Sequence, residues 1–236
     1  MTRQIILDTE TTGLEPNLGH RVVELAAVEL LNRRLSGNRF HSYLNPGRDS
    51  DTAALQIHGL SAEFLQDKSK FKDIAQEFLE YIDGAELIIH NAAFDEAFLD
   101  YELGLLGLKP LKEYCAGIVD TLKIAKELHP GKKNSLDALC ERYEVDNSKR
   151  TLHGALLDAE LLADIYVAMT RGQESLMMDG EDGTSSRGEV AVASVKRELV
   201  VIAASPEELQ KHAQQLQEIE QTSNGNCVWN KLKQAR

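Results

Sequence analysis

Two carboxylates, Asp8 and Glu10, stand two residues apart in the stretch Ile5-Ile6-Leu7-Asp8-Thr9-Glu10-Thr11-Thr12-Gly13. The apolar start predicts a buried strand. Side chains alternate faces along a strand, so Asp8 and Glu10 point the same way. Two like charges on one buried face repel each other and lose their water. A cation between them removes the conflict. A simpler reading stands beside it: Asp8 opens a turn that ends at Gly13, with Thr11 and Thr12 satisfying backbone groups.

Further donors lie downstream. Asp95 falls just after His90, in the first turn of a helix that follows a strand. Functional groups gather at such strand ends in open sheets. Asp158 falls near the start of a later helix, with His153 in the loop before it. Read alone, each acid is a first-turn carboxylate favoured by the helix dipole. Read together, Asp8, Glu10, Asp95 and Asp158 form a hard oxygen site that suits Mg²⁺ or Mn²⁺ better than zinc. Such a set largely balances two divalent ions. Two ions about 4 Å apart clamp an in-line displacement at phosphorus.

The elements that must position these groups are legible from periodicity. Strands are expected over 21–31 and 39–44, with Asn32-Arg33-Arg34 as the turn between them. With the first strand they make a three-stranded antiparallel meander. Residues 48–60 read as irregular. Phe71, Ile74, Ala75, Phe78, Leu79 and Ile82 form one helical stripe. A strand is expected over 86–90, and Asn91 is placed to cap a helix that carries Phe94, Phe98, Leu99, Leu103 and Leu106 and ends at Gly107. Ile118-Val119 is a short strand, and Asp120 or Thr121 caps 122–128. Asn134 or Ser135 caps 136–143, and a longer helix runs from Gly154 to about Thr170. Strands first and helix–strand alternation later predict an α/β fold, a mixed sheet with helices on both faces.

Residues 171–194 show almost no periodicity and read as a flexible linker rich in Gly, Ser, Asp and Glu. Beyond it, Leu199-Val200-Val201-Ile202 is a short apolar run. Ser205-Pro206-Glu207-Glu208 is then a capping box that opens a mostly polar helix. This tail is too small to build a good core alone and is expected to order on a partner.

Three segments resemble the exonuclease motifs of the DnaQ-like superfamily (DEDD, histidine subtype). They are Leu7 to Gly13, then His90-Asn91-Ala92-Ala93-Phe94-Asp95, then His153-Gly154-Ala155-Leu156-Leu157-Asp158-Ala159. The resemblance runs from Arg3 to about Thr170 and implies a ribonuclease H-like fold. Lys133-Asn134-Ser135-Leu136-Asp137-Ala138-Leu139 and Asn147-Ser148-Lys149-Arg150-Thr151-Leu152-His153 narrow it to the proofreading branch that serves bacterial replicative DNA polymerases. The resemblance implies 3′→5′ hydrolysis of DNA to deoxynucleoside monophosphates. Asp8, Glu10 and Asp158 would bind one metal, Asp8 would bridge to a second, and Asp95 would act through the metal shell. His153 would be the general base, since an imidazole can accept a proton near neutral pH. The second metal would stabilise the leaving 3′ oxygen.

For the substrate, the resemblance points to Thr9, Thr11, Gly13, Leu14, His58, Asn91 and Phe94, beside Asp8, Glu10 and Asp158. Glycine allows close backbone approach to a nucleotide. Phe94 either stacks on a base or belongs to the core, and both roles are compatible. His90 is expected to be structural. One departure stands out: relatives can carry an acid a few residues before His58, and this chain has Ala53 and Ala54. The implied layout is an exonuclease domain over 1–172, a linker over 173–194 and a polymerase-binding tail over 195–236. Gln173, Leu176, Met177 and Met178 resemble a sliding-clamp binding motif, and Trp229 would anchor the tail on the polymerase subunit. A small accessory subunit on the exonuclease domain is compatible with this layout. An enzyme acting on RNA 3′ ends, or a mainly structural subunit, are the alternatives.

Composition narrows the field further. A net charge of −12 argues against a broad basic surface for nucleic acid. Substrate contact should be local, and a partner should deliver the DNA. No apolar run approaches the ~20 residues that span a bilayer, and Met1-Thr2-Arg3 leads straight into the first strand, so neither membrane insertion nor a signal peptide is expected. The chain reads as cytoplasmic, at the replisome. Cys115, Cys140 and Cys227 are widely spaced, so zinc and disulfides are not expected.

Overall fold

The structure, a computed structural model, describes residues 3–148, 150, 152–171, 204–223 and 229. The chain divides into two compact units, residues 1–183 and 184–236. The first is built on a five-stranded sheet, flanked on both faces by helices as expected. Its strands are β1 (Arg3–Thr11), β2 (Val22–Leu31), β3 (Arg34–Tyr43), β4 (Glu86–Ile89) and β5 (Gly117–Asp120), in spatial order β3-β2-β1-β4-β5. β1, β2 and β3 form the antiparallel meander, while β4 and β5 add in parallel.

Alternation along β1 splits the core. Ile5 and Leu7 face α3 (Phe71–Ile82) and α4 (Ala92–Leu105), packing with Phe78, Ile82, Phe98 and Leu99. Ile6 faces α7 (Ala155–Met169), packing with Ala159, Leu162, Ala163 and Tyr166. Each Leu or Ile buried this way contributes roughly 1.5–3 kcal/mol before chain entropy is charged against it. α5 (Thr121–Leu128) and α6 (Leu136–Tyr143) pack on the outer side of α7 through Ala125, Leu139 and Cys140. Cys140 is a buried free thiol and Cys115 a half-buried one.

Three local expectations need correction. β3 begins at Arg34, not at 39, because the Asn32–Arg33 turn, with both residues at positive φ, closes a tight hairpin that pairs Leu31 with Arg34. The first half of β3 is exposed on both faces, so no alternation marks it. The stretch 48–60 is not irregular: it holds α1 (Thr52–His58), followed by α2 (Ala62–Leu65). Only His58 is buried on α1, so the helix carries no apolar stripe. Asn91 occupies the N-cap position of α4 but sits at φ 66 and makes no side-chain cap bond. The other caps behave as expected: Asp120 accepts from the Leu122 amide and Ser135 from the Ala138 amide.

In the second unit, α8 (Pro206–Thr222) opens with the expected capping box, Ser205 N donating to Glu208 Oε2 at 2.8 Å. Trp229 is 64% exposed. The expected linker, the clamp-motif residues Gln173, Leu176, Met177 and Met178, and the run 199–202 lie outside the described residues. No described helix is long and apolar enough to cross a membrane.

Candidate active site

β1 ends at the site. Strand alternation puts Asp8 and Glu10 on the face of Ile6, against α7. Asp158 enters from the first turn of α7 and Asp95 from the first turn of α4, both buried. The pairing register of β1 with β2 shifts between Glu10 and Thr11, where the strand reaches the site. Thr9 Oγ1 donates to Asp95 Oδ1 at 2.7 Å and ties α4 to β1. Donor atoms of Glu10, His153 and Asp158 all lie within 4.8 Å of one another. Asp8, His153 and Asp158 share a cavity of about 340 Å³ with His90, Asn91, Asp137 and Arg150.

The electrostatics are those of crowded acids. Burial first, then the charges of Asp95, Glu10 and Asp158, hold the Asp8 carboxyl well above the usual range. Burial and then Asp158 and Glu24 push Glu10 up to about 8, against the pull of Arg150. Burial pushes Asp95 up to about 7, partly offset by the bond from Thr9. Buried acids that resist ionisation beside one another are what a divalent cation relieves, and an all-oxygen donor set suits a hard one.

The sequence alone did not reveal the role of Arg150. Its Nε and Nη2 donate to the two oxygens of Asp158 at 2.5 and 2.6 Å. Nη1 donates to Asp137 Oδ1 at 2.5 Å, and Nη2 lies 2.8 Å from His153 Nδ1. A guanidinium can only donate. His153 Nδ1 therefore carries its lone pair and, in the neutral ring, Nε2 carries the proton. The Arg150 side chain is only 6% exposed. Burial opposes its charge, but Asp158 and then Asp137 outweigh this and raise its pKa. Arg150 thus serves as the protein's own cation beside the acids. Its position three residues before His153 is visible in the chain, but no local pattern assigns it this place.

Other unread residues brace the site. Glu24, buried on β2 opposite Glu10, accepts from the Ala155 amide at 3.1 Å and lies 2.8 Å from His41 Nε2. A carboxylate there pins the N-terminus of α7, and with it Asp158. The His153 amide donates to the Ile57 carbonyl at 3.1 Å, docking the histidine loop on α1. The turn after β1 is real: Thr11 Oγ1 donates to the Gly13 carbonyl at 2.7 Å, and Thr12 Oγ1 lies 3.1 Å from His20 Nδ1. A Cβ on Gly13 would sit 2.3 Å from His20 Cε1, so glycine there makes room for an imidazole.

Thr9, Glu10, Thr11, Gly13, Leu14, His58 and Phe94 all line a second cavity of about 290 Å³. Asn91 does not; it lines the acidic cavity instead. Phe94 walls this pocket and packs on Phe98 with ring centroids 5.0 Å apart, the core role foreseen for it. His58 Nδ1 accepts from the Leu60 amide, and its buried Nε2 has no well-formed hydrogen bond among the described residues, only the Thr11 backbone beside it. Burial lowers the His58 pKa, so the ring is neutral and Nε2 is a donor. Ala53 and Ala54 line the same wall, and a carboxylate is supplied there by Asp51, 3.5 Å from His20 Nε2. His90 Nδ1 lies 2.9 Å from Thr121 Oγ1, and the ring lines the acidic cavity.

Comparison with known proteins agrees with this geometry. The family described as Exonuclease (RNase_T) matches residues 5–166. The chain is 49% identical over 240 residues to DNA polymerase III subunit epsilon of Escherichia coli (strain K12), covering 97% of this chain and 98% of that one. It is 50% identical over 222 residues to the subunit of the same name from Rickettsia prowazekii (strain Madrid E), covering 92% and 96%. Among solved structures, Exonuclease X in complex with 5′ overhanging duplex DNA matches with a TM-score of 0.57 and 25% identity, over 72% of this chain and 93% of that one. Escherichia coli Exonuclease I in complex with a dT13 oligonucleotide matches with a TM-score of 0.64 over 75% of this chain and 43% of that one, a likeness of fold at 16% identity. The Exonuclease match spans the sheet and its helices and the epsilon relatives align nearly end to end, so the chain belongs to the DNA polymerase III epsilon-subunit family of exonucleases.

Proposed function

We propose that this chain is the proofreading 3′→5′ exonuclease of a bacterial replicative DNA polymerase, removing mispaired 3′-terminal nucleotides as deoxynucleoside monophosphates. The observation that carries this reading is the convergence of Glu10, His153 and Asp158 within 4.8 Å beside the pocket walled by Phe94 and His58. Asp8, Glu10, Asp158 and Asp95 would hold two divalent cations, Mg²⁺ or Mn²⁺, which when bound polarise the scissile phosphate, acidify water and neutralise the leaving oxygen.

The chain's own groups do the rest. The terminal base stacks against Phe94 between Leu14 and the Thr9–Thr11 wall, with Gly13 in the turn behind. The Nε2–H of His58, held only loosely by the Thr11 backbone, donates to a sugar or phosphate oxygen. Asn91 holds the strand on the other side of the acids. His153 takes the proton of the attacking water. For Nδ1 to accept it, Arg150 must withdraw, and Asp137 offers the guanidinium a second acceptor.

The domain plan accompanies this reading: exonuclease over 1–172, linker over 173–194, tail over 195–236. The tail would bind the polymerase (alpha) subunit with the exposed Trp229 as anchor. Gln173, Leu176, Met177 and Met178 would bind the sliding clamp (beta), and a small accessory subunit fits on the exonuclease domain. Such a subunit works in the cytoplasm, at the nucleoid.

The test is the Asp8→Ala/Glu10→Ala variant. It should lose degradation of single-stranded and mismatched DNA yet co-elute with the polymerase subunit. Loss of both properties would favour a scaffolding role, and a strong preference of the wild type for RNA would overturn the DNA reading.

A further inference from the structure

A further cavity adjoins the site and takes no part in the reaction as described. It is a groove of about 580 Å³ lined by Lys126, Lys132, His90, Asn91 and Ser135, of a size that suits small-ligand sites. His90, Asn91 and Ser135 also line the acidic cavity, so the two lie side by side and share a wall. Lys126 and Lys132 are exposed and form no ion pair among the described residues. Neighbouring Lys123, by contrast, lies 3.8 Å from Asp120. Lys126 lines the groove together with His90, which also lines the acidic cavity, so this lysine lies near the mouth of the site. The Asn91 side chain makes no hydrogen bond among the described residues, so its amide is free to donate.

The first turn of α4 touches each compartment in order. Phe94 walls the apolar pocket, Asp95 belongs to the acids, and Asn91 opens into the basic groove. We infer that this groove holds the phosphates of the single strand immediately upstream of the terminal nucleotide, with Lys126 and Lys132 as its cationic contacts. The inference rests on the exonuclease reading above and extends it. A chain of net charge −12 needs such a local contact, because its wider surface repels DNA. With the terminal base against Phe94 and the scissile phosphate at the acids, the rest of the strand leaves past Asn91. Beside Asn91, the adjoining groove presents Lys126 and Lys132. These point charges grip phosphates and read no sequence, as a proofreading site requires.

The test uses the full chain with Mn²⁺ and a Lys126→Gln/Lys132→Gln variant. Two substrates are compared: a single-stranded oligodeoxynucleotide, and the p-nitrophenyl ester of thymidine 5′-monophosphate, which is too short to reach the groove. Each phosphate contact on a single strand contributes about 0.7 to the slope of log affinity against log salt. The variant's slope for the oligonucleotide should therefore be shallower by about 1.4. Between 50 and 200 mM salt, wild-type KM should rise about sevenfold more than that of the variant. Ester hydrolysis and thermal midpoint should match the wild type, while Lys72→Gln, remote on α3, changes neither substrate. An unchanged slope overturns the inference. So does a parallel loss on both substrates, which would mean that the lysines act through the catalytic groups. A wild type inert toward both substrates would instead sink the exonuclease reading itself.

Discussion

Arg150 offers the sharpest test of how the acids are held. Replacing it with Gln keeps the stem and removes the charge from beside Asp158, Asp137 and His153. Removing one partner of a buried ion pair costs about 3–5 kcal/mol. The lower end applies here, because Glu10 and Asp95, already pushed up to about 8 and about 7, can take protons in response. In a folded unit of this size, ~1 kcal/mol moves the thermal midpoint by roughly 2–4 °C, so ~3 kcal/mol predicts a drop of about 6–12 °C. That drop is expected in EDTA. In saturating Mn²⁺ it should shrink severalfold, because a divalent ion neutralises the same carboxylates. Arg150 also competes with the ion for Asp158, so the variant should bind Mn²⁺ more tightly in calorimetry. The assay is thermal unfolding of wild type and variant, each with EDTA and with Mn²⁺. An equal drop in both conditions, with unchanged Mn²⁺ affinity, would refute the reasoning and leave Arg150 a plain structural tie.

In EDTA, the raised pKa of Glu10 means that the folded state binds protons the unfolded state has released. Its contribution is therefore present at acid pH and lost as pH rises from about 4.5 to about 8, so wild type should lose midpoint relative to Glu10→Gln across that window; a relative gain would refute this. Loading Mn²⁺ at pH 7 should release protons, seen as a buffer-dependent heat in calorimetry, and a buffer-independent heat would contradict the crowded-acid picture. Gly13→Ala should cost about 1–3 kcal/mol by overpacking His20, and adding His20→Ala should restore most of it; no rescue would locate the strain elsewhere. Glu24→Ala leaves the Ala155 amide unpaired, which costs about 1–3 kcal/mol, and should lower kcat more than KM by loosening Asp158; unchanged kcat would show that α7 is held without Glu24.

Much of this protein was determined by local pattern. The Phe71–Ile82 stripe, the apolar strands β1 and β4, and the caps at Asp120, Ser135 and Ser205 each follow from period or side-chain chemistry within a few residues. The spacing of Asp8 and Glu10 by itself placed two acids on one face, because strand alternation leaves no other choice. Tertiary structure decided what local chemistry could not carry. α1 is held through His58 and the Ile57 carbonyl rather than through a stripe of its own. Asn91 is pushed to positive φ where the chain turns from β4 into α4. Gly13 answers to His20, Ala155 to Glu24 across the sheet, and Asp158 to Arg150 from the loop before α7. Those pairings bring together charges and shapes from separate elements, and their energies arise only once the sheet and α7 have closed over them.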